Sequence, residues 1–182
     1  MLNLAESIIP GLTDAMKRLQ ADLRAELKAQ GHYLTGKLHD SIEYEVEEGN
    51  GIVRAIMEIE DYGLTMEFGI PAERIPYTPG GGGGGTSKYI QGLIRFWSLR
   101  GVTGREGIRA AFATARKHKR EGLPTRSSDA FSSTVARTGF ASTVLERDLE
   151  IIGRILEEKI GLQMKILIAP ELGNIEPIRI AI

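Results

Sequence analysis

The chain has 182 residues, 42% of them hydrophobic and 26% charged, a balance that suits a soluble domain long enough to bury a core. It contains no cysteine, which excludes disulfides and thiolate metal sites, and no stretch is apolar for the length a membrane span needs. The first residues lack the basic start and apolar core of a signal peptide, so a soluble protein that stays in the cytoplasm is expected. The formal net charge of −1 hides an asymmetry: Asp40 to Glu73 carries ten acids against Arg54, and Lys88 to Arg126 carries ten Lys/Arg against Glu106 and Glu121. Such a split suggests two faces with different partners, or one face that meets the other on a neighbouring copy.

Leu12, Met16, Leu19, Leu23 and Leu27 recur at three- and four-residue steps and predict a helix near Pro10–Gln30. Pro10 suits its first turn and Gly31 its end. The opposite face is highly charged, and the helix can pack on a sheet or on a neighbouring subunit. Thr35 is a candidate N-cap for a short helix. Ile42, Tyr44 and Val46 then alternate with Glu43, Glu45 and Glu47, which is strand spacing. Asn50-Gly51 is a hairpin turn signal, and Ile52 to Glu60 is the return strand. Asp61-Tyr62-Gly63 leads into a short amphipathic segment with Gly69 as its C-cap.

A proline-containing stretch follows, and then six glycines, Gly80 to Gly85, expected to be a flexible tether. The run precedes Thr86-Ser87-Lys88, the reverse of the Gly-Lys-Ser/Thr order of a phosphate-binding loop, so no nucleotide site is expected. A helix from Thr86 to Arg100 holds Tyr89, Ile90, Leu93, Ile94 and Trp97 at helical spacing, with Gly101 ending it. Ile108, Ala111, Phe112 and Ala115 mark the next helix, which ends in the basic run Arg116 to Arg120. A long helix from Gly139 to Ile160 presents Phe140, Val144, Leu145, Leu149, Ile152, Ile155, Leu156 and Ile160 on one face. Leu162–Ile168 reads as a closing strand, and Ile178, Ile180 and Ile182 as a short terminal one.

These periodicities predict an α+β fold: a small antiparallel sheet with a β-hairpin, packed by the N-terminal and long C-terminal helices, plus an inserted basic helical hairpin. Residues 1–79 and 127–182 would form the core domain, and residues 80–126 the tether and insertion. The histidines His32, His39 and His118 are scattered, so no metal or other cofactor is expected. No serine has a nucleophile-elbow context, and the acids from Glu43 to Glu48 read as a solvated strand face. Arg95, Arg100, Arg116, Lys117, Lys119 and Arg120 are candidates to face DNA or a neighbouring subunit. Tyr89, Phe96 and Trp97 lie beside them but on the apolar stripe, and are read as core rather than as base-stacking platforms.

With these residues laid out, the chain resembles a family of tailed-bacteriophage neck proteins of the head–tail joining, or tail-completion, type. The likeness is carried by Leu34, Thr35, Gly36, Lys37 and Leu38 with Ser41 and Ile42, and by Tyr62 and Gly63 followed by Met66, Glu67, Phe68 and Gly69. It extends to Tyr89-Ile90 with Trp97, to Ala111-Phe112-Ala113 with Ala115-Arg116-Lys117, and to Glu121-Gly122-Leu123-Pro124. The resemblance implies a structural virion protein and not an enzyme, forming a ring with copies of itself at the portal-to-tail junction. Its implied neighbours are portal or adaptor and tail proteins. Genomic DNA would pass without sequence-specific contact, no membrane would be involved, and assembly would take place in the host cytoplasm. The alternative is a free-standing nucleic-acid-binding protein that works through the basic 88–126 hairpin.

Overall fold

The leucine stripe of the first helix is the centre of the fold: Leu12, Met16, Leu19, Leu23 and Leu27 are all almost fully buried. The computed structural model describes residues 4–49, 52–80, 87–160, 167–168 and 178–181. The expected tether Gly80–Gly85, apart from Gly80, lies outside the described residues, as do the expected Asn50-Gly51 turn and most of the 162–168 strand. The chain divides into two compact units, Met1–Glu67 with Gly139–Ile182, and Phe68–Thr138.

In the first unit, helix α1 (Leu4–Ala29) starts earlier than expected and contains Pro10 within it. Proline's fixed φ is helical, so what is forfeited is one backbone bond in the second turn, while Ile8, one turn before Leu12, is buried on the same face. The helix closes on Gly31 (φ 74°). Gly31 N–H donates to the Lys28 carbonyl and His32 N–H to that of Leu27, the paired bonds of a Schellman end. Helix α2 (Lys37–Asp40) has Gly36 in the left-handed region as its N-cap, not Thr35. The Thr35 hydroxyl instead accepts from Lys37 N–H at 3.4 Å.

Strands β1 (Glu43–Gly49) and β2 (Ile52–Glu58) pair antiparallel, with Tyr44 opposite Met57 and Val46 opposite Ala55. Val53, Ala55 and Met57 are buried against α1. The sheet order is β1-β2-β4-β3, where β3 is Leu167–Ile168 and β4 is Ile178–Ala181. The strand that joins the hairpin is therefore the terminal one, β4, paired with β2 from Arg54–Ala181 to Met57–Ile178. Of the 162–168 segment, the described residues Leu167 and Ile168 form β3, paired with β4. Helix α3 (Tyr62–Phe68) follows the hairpin.

Helix α6 (Phe140–Ile160) packs on α1. Its buried seam is Phe140, Val144, Asp148, Ile152 and Leu156, a strict four-residue step. The apolar reading placed Leu149 on this face; it is 40% exposed, and Asp148, at 1%, takes the place. Arg147 makes that possible, donating from Nε and Nη2 to the two Asp148 carboxylate oxygens at 2.8 and 3.0 Å. Its guanidinium also lies 3.9 Å from Glu26 of α1, and holds the Asp148 carboxyl below the usual carboxylate range. Arg147→Met is expected to cost about 1–3 kcal/mol, because it strands a buried charge. The double variant Arg147→Met/Asp148→Leu should recover most of that loss, which paired urea titrations would measure.

In the second unit, helices α4 (Lys88–Leu99) and α5 (Gly104–Glu121) form an antiparallel hairpin. The expected boundaries at 80 and 126 are too narrow. Ile70 and Leu123 exchange both backbone hydrogen bonds, at 2.7 and 2.8 Å, and Tyr77 stacks obliquely near Phe112. The segments on either side of the helices are thus paired with each other and belong to the insertion.

Candidate interaction surfaces

Helix α4 opens on Ser87, whose hydroxyl accepts from Ile90 N–H, and ends on Gly101 with a second Schellman pair. Two side-chain bonds register it on α5: Trp97 Nε1 donates to Thr114 Oγ1 at 3.0 Å, and Tyr89 Oη lies 2.7 Å from His118 Nδ1. Tyr89, Phe96, Trp97 and Phe112 are only half-buried, while Ile90, Ala111 and Ala115 are the closed core of the pair. The aromatics therefore line the core without being enclosed by it, and Ile108, expected inside, is 44% exposed.

Burial lowers the His118 pKa from its ordinary 6.5, Lys117 adds to this, and Glu121 opposes it; burial also pushes Tyr89 up to about 12. With the imidazole neutral, the Tyr89 hydroxyl donates to Nδ1. A histidine whose folded pKa is depressed stabilises above its unfolded value, and that stability is lost as pH falls from about 6.5 through the folded pKa. Protection of α4 and α5 amides in hydrogen exchange should therefore fall between neutral pH and pH 5, and His118→Asn should flatten that dependence.

The six basic candidates do not share one role. Lys117 donates to the Ser127 hydroxyl, and Lys119 to the Glu73 and Ile75 carbonyls at 3.3 and 3.2 Å, so both lysines tie their own unit together. The Arg100 guanidinium sits 4.3 Å from the Phe96 ring centre and 5.5 Å from that of Phe131. Arg120 pairs with Glu121 at 2.7 Å. Arg95 and Arg116 are exposed and make no bond or ion pair with a described residue. Two further arginines, Arg105 and Arg109, share that condition. At 100° per residue, Arg105, Arg109, Arg116 and Arg120 fall within an arc of about 60° on α5. That spacing was present in the sequence; reading the basic run as a helix end hid it.

The acidic counterpart lies on the hairpin. Glu43, Glu45 and Glu47 of β1 are exposed, and their cross-strand neighbours on the same face are Glu58, Ile56 and Arg54. Glu47 has Arg54 at 4.0 Å, whereas Glu43 stands directly opposite Glu58, a like-charged pair that weakens the sheet.

Most of the residues that carry the resemblance are architectural. Leu38 and Ile42 are buried. The Ile42 carbonyl accepts from Gln20 Nε2 at 2.8 Å and Arg24 Nη2 at 2.9 Å, so α1 grips the corner between α2 and β1. Ser41 Oγ donates to the Leu38 carbonyl and accepts from Glu60 N–H, which fastens the far end of the hairpin to the same corner. Lys37 pairs with Glu60 at 2.7 Å in the open. Gly63 is buried against the Ile59 side chain, which would have to shift to admit a Cβ. Leu34, Tyr62 and Phe68 are exposed. Glu67 reaches the start of α6: its Oε2 accepts from Ala141 N–H at 2.8 Å, and its Oε1 from Ser142 N–H at 3.2 Å and from the Ser142 hydroxyl. Gly69 (φ 70°) abuts the Leu123 carbonyl, where a Cβ would lie 2.4 Å from the oxygen.

Among the described residues, no helix is long and apolar enough to cross a membrane, and no three His, Cys, Asp or Glu side chains are grouped to hold a metal ion. Comparison with protein-family models, with curated proteins and with solved structures finds no match to this chain.

Proposed function

We propose that the chain is a structural subunit of a tailed-phage neck, a virion protein that works in a ring of its own copies at the head–tail junction, between portal or adaptor and tail proteins. The observation that supports this most is the use made of the residues that resemble the family. Ser41, Ile42, Glu67 and Gly69 hold corners and cap a helix; they form no reactive cluster. A subunit whose distinctive side chains fix its shape, and which displays separate acidic and basic faces, suits heterologous contacts that close into a ring. Sedimentation of the purified chain tests this: self-association that weakens with salt is expected, and a monomer at every concentration and salt would defeat the proposal.

The exposed Arg105, Arg109 and Arg116, without a partner among the described residues, favour a second reading, a free-standing nucleic-acid-binding protein. A gel shift of duplex DNA at moderate salt by a strictly monomeric protein would select it.

A further inference from the structure

The exposed arginines of α5 and the exposed glutamates of the hairpin are matched in length as well as in sign. Arg105, Arg109 and Arg116 span about 16 Å along the helix at 1.5 Å per residue. Glu43, Glu45 and Glu47 span about 14 Å along β1 at roughly 3.4 Å per residue. Arg105 and Arg109 lie about 6 Å apart, close to the two-residue repeat of a strand, about 7 Å, so these two guanidinium groups can meet successive carboxylates, and Arg116 lies about 10 Å further along the same face. Within the two rows, Glu47 alone has a described partner, Arg54 at 4.0 Å. The three arginines have no partner among the described residues, and neither do Glu43, Glu45 and Glu58; Glu43 and Glu58 also oppose one another across the strands.

We infer that the arginine face of α5 is one half of a heterologous interface, and that its other half is the glutamate face of β1 and β2 on a second copy of the chain. The inference rests on the ring reading and specifies the surfaces that meet. A second copy is favoured over a nucleic-acid backbone because the same chain supplies an acidic row of fitting length, and because a net charge of −1 gives a polyanion no overall attraction. Arginine forks and carboxylates pair in a bidentate way, which fixes register as well as adding attraction.

The test is a charge swap read by sedimentation. One variant carries R105E, R109E and R116E; the other carries E43K, E45K and E58K. Each alone has two faces of one sign, and should associate at least about tenfold more weakly than the unaltered chain at low salt. Mixed in equal amounts, the two should recover association, because every contact in the mixture can join opposite charges. Failure of the mixture to recover, or unaltered association of either variant alone, overturns the inference while leaving the ring reading in place. An unaltered chain that stays monomeric at low salt overturns both. Loss of duplex DNA binding by the arginine variant, with self-association kept, also overturns it and makes nucleic acid the partner. If circular dichroism shows that a reversal variant is unfolded, the milder set R105Q, R109Q and R116Q decides: weakened association with an unchanged thermal midpoint supports the interface, and unchanged association overturns it.

Discussion

Glu67→Ala should lower the stability of the first unit by about 2 kcal/mol, the sum expected for losing a helix cap and charge-assisted bonds to two backbone N–H groups. The Glu67 carboxylate lies at the positive end of a helix of 21 residues, so part of the loss is the dipole interaction, roughly 0.3–1 kcal/mol. For a chain of this length such a change corresponds to a drop of about 4–8 °C in thermal midpoint. Glu67→Gln keeps one acceptor oxygen and should lose about half as much. Glu67→Asp has the charge but a shorter reach, and should resemble the alanine variant. Calorimetry of the three variants checks the ordering; a glutamine variant indistinguishable from the unaltered chain would mean that the carboxylate charge contributes nothing.

The larger effect is expected at the crossing of Ile70 and Leu123. Gly69→Ala would set a Cβ 2.4 Å from the Leu123 carbonyl oxygen, and Gly122→Ala one 2.7 Å from that of Ile70. Both obstacles are backbone, so no side chain can move aside. Both glycines also have positive φ, which costs an alanine about 1–2 kcal/mol on its own. Opening the crossing forfeits the two hydrogen bonds there, and a total loss of about 3–4 kcal/mol is expected. The second unit has a slight core, with Ile75, Ile90, Ala111 and Ala115 as its buried apolar residues, so this should suffice to expose residues 68–138 to limited proteolysis. Gly92→Ala is the control: a Cβ there meets nothing within 4 Å, and alanine in a helix interior gains about 0.5–1 kcal/mol. Equal proteolysis of the Gly69, Gly92 and Gly122 variants would refute the role assigned to the crossing.

What was legible in the sequence is what local periodicity encodes. The leucine stripe of α1, the alternation of β1 and the glycine ends at Gly31, Gly69 and Gly101 all depend on residues within one or two turns of each other. What was hidden depends on partners distant in the chain. Asp148 looks misplaced on an apolar seam until Arg147 is seen folding back over it and reaching Glu26 of α1. Thr35 looks like the cap because its hydroxyl suits one, but the left-handed Gly36 comes between it and the helix. Nothing near Gly69 announces that Leu123 lies beside it, so local pattern alone starts the insertion at the glycine run. Lys117 and Lys119 looked like surface charge because neither Ser127 nor the Glu73 and Ile75 carbonyls are local to them. Glu67 was marked by resemblance alone, and no local pattern says that its carboxylate ends at Ala141, 74 residues away.

The crossing also has a consequence for how such a chain can change over generations. Because Ile70 and Leu123 are hydrogen-bonded partners, the two ends of everything between them stand only about 5.5 Å apart, the gap a tight reverse turn bridges. A segment that leaves and returns at one point can be gained, lost or exchanged in a single recombination without lengthening the path of the remaining chain. Residues 71–122 are in that sense a cassette, and the two glycines mark where it can be cut.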